Sequence, residues 1–189
     1  MKGLALTLNL VFAACLALST HAALAQSSGG AADRLPELLD RLADPETGNW
    51  EIVEREIIQR WSLSGSASAD LLLNRGLSAL EADEVSAAIT HLTALVDHAP
   101  EFAEGWHARA TAFYRAGLYG PALLDLQHAL SLNPDHFGAM IGLGIMMEEM
   151  GEPELALVAF RSALVINPHR PDVQGAVSRI EIALEGETL

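Results

Sequence analysis

Histidine and carboxylate are the residue types with which this sequence could do chemistry. Six histidines stand beyond residue 25, at His91, His98, His107, His128, His136 and His169, in a chain with 25 Asp plus Glu. An imidazole can ligate a metal or move a proton near neutral pH, but either task needs partners at fixed spacing. None of the six stands in an HExxH or comparable ligand pattern, so they are expected at the surface or in turns. Ser, His and Asp all occur, yet no GxSxG elbow presents a nucleophile, and no glycine-rich loop after a strand offers to hold a phosphate. A site built around Glu104 and His107 is the remaining enzymatic reading. The expectation is therefore no catalytic residue, no metal and no cofactor.

The elements that would position such residues repeat. Pro100, Pro134 and Pro168 are spaced by 34 residues, and other columns keep the same interval. Ala88, Ala122 and Ala156 share one column, and Gly76, Ala110 and Gly144 a second. Leu92, Leu126 and Phe160 make a third, and Leu72, Trp106 and Met140 a fourth. Two helices approach closely only where small residues meet, with large side chains filling the space above and below, so the columns imply stacked helix pairs. Each proline closes a unit, because it cannot continue a helix and biases the residue before it toward extended angles. Pro121 and Pro153 fall instead in the first turn of a second helix, where a missing N–H is harmless.

This register resembles the tetratricopeptide (TPR) repeat. The middle copy matches its pattern at Trp106, Ala110, Phe113, Ala122, Ala129 and Pro134. The third copy matches at Gly144, Ala156, Phe160, Ala163 and Pro168, with Met140 and Met147 in the aromatic places. The first matches at Gly76, Ala88 and Pro100, with Leu72 and Ala79 replacing the rings. The resemblance implies an all-α fold, a right-handed superhelical TPR solenoid. Its three full helix pairs are 69–102, 103–136 and 137–170, and 171–189 is a capping helix. Residues 34–68 are expected to form a degenerate N-terminal helix pair that covers the first repeat, with Trp50 and Trp61 as core.

The resemblance also implies a ligand groove, lined in this family by fixed positions of the first helix of each pair. Here those are Asp70, Leu73, Leu77, Leu80 and Glu81, then Glu104, His107, Thr111, Tyr114 and Arg115, then Gly138, Ile141, Ile145, Glu148 and Glu149. Some members hold the C-terminal carboxylate of a chaperone peptide with Lys, Asn and Arg. Leu73, Leu77, His107 and Thr111 stand in those places, so that mode is not expected. A peptide or amphipathic helix with apolar anchors and neutral to basic flanks fits better. The alternative is that Leu73, Leu77, Ile141 and Ile145 pack against a neighbouring helix or the N-terminal segment. Gly138 and Gly142 are expected to admit a close neighbour, and Met140, Met146, Met147 and Met150 to fill the core.

Composition sets the remaining expectations. The chain carries 11 Lys plus Arg against 25 acids, a net charge of −14, which disfavours nucleic acid and anionic lipid as partners. Met1-Lys2, the apolar run Leu4 to Leu18 and Ala23-Leu24-Ala25 read as a signal peptide cleaved after Ala25, followed by a tether over 26–33. Processing leaves no membrane span and points to the periplasm; the alternative, from the FAAC sequence, is a lipoprotein anchored through Cys15. Functionally, the chain reads as a non-enzymatic interaction adaptor of the bacterial envelope that binds another protein or peptide. The alternative is a self-associating scaffold whose apolar face is an oligomer interface.

Overall fold

A computed structural model describes residues 34–187. The expected signal peptide, tether and Cys15 lie outside the described residues. The described chain is helical, in the order α1 (Leu35–Ala43), α2 (Trp50–Trp61), α3 (Ala67–Glu81), α4 (Val85–His98), α5 (Ala103–Arg115), α6 (Tyr119–Leu132), α7 (Phe137–Glu149), α8 (Pro153–Ile166) and α9 (Pro171–Glu187). No strand occurs among the described residues, and none of their helices is long and apolar enough to cross a membrane. From Leu38 onward they form one compact unit.

The small-residue columns are where the pairs close. A Cβ on Gly76 would sit 2.4 Å from Leu92 Cδ2, and one on Gly144 would sit 2.6 Å from the Phe160 ring. The large column thus presses directly on the small one across α3–α4 and α7–α8, and no methyl group fits between. Neighbouring pairs stack in chain order, α4 on α5 and α6 on α7, and α9 closes against α8. The apolar residues pool accordingly, Leu73, Leu92 and Leu95 with Ala108 and Ala112, then Leu126 with Ala139 and Met146, then Phe160 with Val173 and Ile180.

The turns repeat as faithfully as the helices. Within each pair the turn passes through a left-handed residue, Asp83 (φ 62°), Gly117 (φ 71°) or Gly151 (φ 78°). The next amide then reaches back five residues, Glu84 to Ala79, Leu118 to Phe113 and Glu152 to Met147, at 2.8–2.9 Å. This is the helix-ending motif that glycine favours, and the first repeat makes it with an aspartate. Between pairs, Ala99, Asn133 and Asn167 leave the helical region ahead of the three prolines, with ψ values of 70°, 93° and 85°.

The N-terminal pair departs from expectation. The pattern of Trp50, Val53, Ile57 and Trp61 does make one face of α2, and Val53 and Ile57 are fully buried. Its ring and ion-pair contacts, however, fall at the two junctions 136–137 and 169–170, ahead of α7 and α9, rather than on the first repeat. Trp61 stacks on His136 and packs against Phe137, with ring centroids 4.8 and 5.1 Å apart. Trp50 stacks on His169 at 5.6 Å, and Glu54 pairs with Arg170 at 3.0 Å. The tryptophans are half-buried, each wedged on a histidine, instead of lying in an apolar core. His136 and Arg170 are equivalent positions of successive units, so α2 bridges the N-terminal ends of α7 and α9. The start of α3 does not depend on it: Ser66 caps that helix by accepting from Ala69 N–H, and Ser64 fixes Asp70.

Candidate functional site

The expected groove residues do not share one fate. Leu73 and Leu80 are buried with Ala108 and Ala112, because the stacking of α3 on α5 needs them, and Leu77 is half-buried against the same cluster. Leu73 and Leu80 are thus core residues. Ile141 is likewise drawn into the cluster around Phe160 and Val173. Arg115 extends to the preceding repeat, donating to Leu80 O at 2.6 Å and to Asp83 at 2.7 Å, and Glu148 is held by Arg179 at 2.8 Å.

What remains open lies between α5 and α7. His107, Thr111, Tyr114 and Ile145, all expected in the groove, line a cavity of about 200 Å³ together with Ala110, Leu126, Gly142 and Met146. Ile145 is 39% exposed there. Thr111 donates its hydroxyl to His107 O at 3.1 Å, and Tyr114 donates to Glu149 at 2.5 Å. That bond, with burial and the carboxylate charge adding to it, pushes the Tyr114 phenol up to about 12, so it stays a donor through the physiological range. Gly142 serves its neighbours: a Cβ there would lie 3.3 Å from Leu126 Cδ2, and one on Gly138 would lie 3.3 Å from His107 Cε1. The sequence marked the four residues of the first-helix pattern. It did not mark Leu126 or Met146, which belong to the core and also line the cavity.

At the end of the cavity the histidines depart from their expected surface role. His136 is buried at 2% exposure, its Nε2 lies 3.0 Å from Glu104 Oε2, and His107 Nδ1 lies 3.5 Å from Oε1. Burial alone would raise the Glu104 carboxyl, but the hydrogen bonds from both imidazoles outweigh it and hold the group at about 2. Burial pushes His136 down, against the pull of Glu104, so the cluster is an anion between two rings of which His136 is neutral. The ligating atoms of the three side chains lie within 4.8 Å of one another, close enough to suggest a cation site. The tautomer opposes it. Ala139 N–H donates to His136 Nδ1 at 3.2 Å and caps α7, so the single proton of His136 sits on Nε2 and is given to Glu104. A metal on Nε2 would drive that proton to Nδ1, facing the Ala139 N–H.

The columns, the left-handed turns and the groove geometry agree with what a family comparison finds. A tetratricopeptide repeat model matches residues 73–126 and 107–171. The chain belongs to the TPR family. A TPR repeat-containing protein of Rhizobium etli is 32% identical over 154 residues, which span 82% of this chain and 74% of that protein. Among solved structures, the Arabidopsis OM64 TPR domain aligns with a TM-score of 0.60 at 21% identity, over 61% of this chain and 96% of that one. The first TPR of Spaghetti (RPAP3), bound to an HSP90 peptide, aligns at 0.61 and 22%, over 64% and 95%. At these identities the structures establish the TPR fold alone; the matched family is a repeat and not a catalytic family.

Proposed function

We propose that this TPR protein is an exported, non-enzymatic adaptor of the bacterial envelope, which binds a segment of another polypeptide in the opening between α5 and α7. The observation that carries this reading is the cavity itself, apolar-walled and set on the first-helix positions, with Ile145 left uncovered beside it. TPR relatives that bind peptides, such as the HSP90-peptide complex of Spaghetti, support a polypeptide ligand. The ligand differs in charge from that peptide, which ends in Glu-Val-Asp. Near the cavity the arginines are occupied, Arg109 by Asp125, Arg115 by Leu80 O and Asp83, and Arg179 by Glu148. An acidic chain with no free cation at this opening suits a neutral or basic segment with an apolar anchor. Affinity capture from the native host separates the cases. Ile145→Glu is expected to lose captured partners at least tenfold, while Val165→Glu, on the 75% exposed back of α8, retains them; equal recovery by both would reject the groove.

A second reading has its own observation. Leu124, Leu155 and Val158 are 66%, 53% and 63% exposed on the second helices, the last two beside a shallow apolar groove of about 470 Å³ between α6 and α8. This face suits self-association. Light scattering on the purified chain decides, since a mass that stays monomeric across a hundredfold concentration range removes the scaffold reading.

A further inference from the structure

The groove reading leaves open what its pocket accepts, and on that reading the hydrogen-bond network behind His107 narrows the answer. The network starts from one backbone amide. Ala139 N–H spends the Nδ1 lone pair of His136, so that ring donates through Nε2–H to Glu104 Oε2. The other carboxylate oxygen, Oε1, faces His107 Nδ1. A lone pair at Nδ1 would confront an anion, so the neutral ring carries its proton on Nδ1, and in that tautomer Nε2 is left as an acceptor. No residue among those described hydrogen-bonds to that nitrogen. The remaining polar side chains of the lining are already engaged as donors, Thr111 on His107 O and Tyr114 on Glu149. The side chain of His107 is 24% exposed, and the rest of the wall is Ala110, Leu126, Gly142, Ile145 and Met146.

We propose that the pocket takes a partner's aromatic side chain bearing a single N–H or O–H donor, a tryptophan or tyrosine, with His107 Nε2 accepting its hydrogen bond. A cavity of about 200 Å³ has room for one side chain and not for a drug-sized ligand. A purely apolar occupant would strip water from Nε2 and return nothing, and a carboxylate would set its lone pairs against the nitrogen and against Glu104. The arrangement discriminates by the donor as well as by shape. His107 is thereby a specificity residue, and Glu104 and His136 are positioning residues that fix its tautomer.

Indole and 1-methylindole test this, since they share a shape and only the first has an N–H. Each is titrated into the isotope-labelled full chain and followed by NMR at the Ile145 and Met146 methyls and at the His107 ring nitrogens. Both are expected to shift the methyls, indole binding about fivefold more tightly and alone perturbing Nε2. His107→Leu is expected to erase the difference while retaining both compounds. Equal affinities in the wild-type protein, or a preference that survives His107→Leu, would overturn the acceptor assignment and leave the groove standing. No shift at Ile145 with either compound would remove the pocket, and the groove reading with it.

Discussion

At the scale of single residues, the buried group of Glu104, His107 and His136 makes acid the natural stress for this protein. His136 has a folded pKa below its ordinary 6.5, so the fold favours the neutral ring. Stability from it is complete above 6.5 and falls as the pH drops from there through the folded value. Glu104 is also depressed, from 4.5 to about 2, so its contribution is complete above 4.5 and is lost between there and about 2. Both signs agree. Melting temperature is expected to fall on acidification from pH 7 to 5, through His136, and again below 4.5. His136→Asn keeps a side-chain oxygen to cap α7 and removes the titrating ring, so its melting temperature is expected to be flat between pH 7 and 5 and its stability at neutral pH lower by about 1–3 kcal/mol for the Glu104 bond it gives up. A wild-type melt insensitive to pH over that interval would contradict the assignment. The sequence marked Glu104 and His107, three residues apart, but not His136, which stands 32 residues from Glu104. Only the stacking of α5 beside α7, with Trp61 covering the ring, brings them together.

At the scale of elements, the 34-residue columns foretold the packing well, because they report a steric requirement that acts locally. A Cβ on Gly144 would lie 2.6 Å from the Phe160 ring, so Gly144→Ala is expected to destabilise by about 1–3 kcal/mol. Gly175 lies within α9 with nothing within 4 Å of its missing Cβ, and Gly175→Ala should stabilise by up to about 1 kcal/mol. Urea denaturation measures both, and effects of equal sign would refute the column account. The turn column was legible in part. Gly117 and Gly151 stand 34 apart, but Asp83 fills the same left-handed place in the first repeat and hid the regularity. The helical face of α2 was readable from Trp50, Val53, Ile57 and Trp61. Its target was not, since periodicity tells which side of a helix is buried and not against what. Trp61 lies six residues before α3 begins, yet it meets the start of α7, a long-range contact that no local pattern encodes.

At the scale of the whole molecule, the first-helix register marked a groove, and the fold divided it. Stacking consumed Leu73 and Leu80, α2 bridged the N-terminal ends of α7 and α9, and inter-repeat ion pairs engaged Arg115 and Glu148. What is left is one pocket between α5 and α7 on an acidic chain. The central claim, that this pocket grips another polypeptide, is tested most directly by photo-crosslinking with a photoreactive residue placed at Ile145 and, separately, at Val165, in cells of the native host. Mass spectrometry of the adducts is expected to show a defined peptide of a second protein joined at position 145 and absent at 165. Adducts that are the same at both positions, or a position 145 that joins only to this chain's own residues, would contradict it.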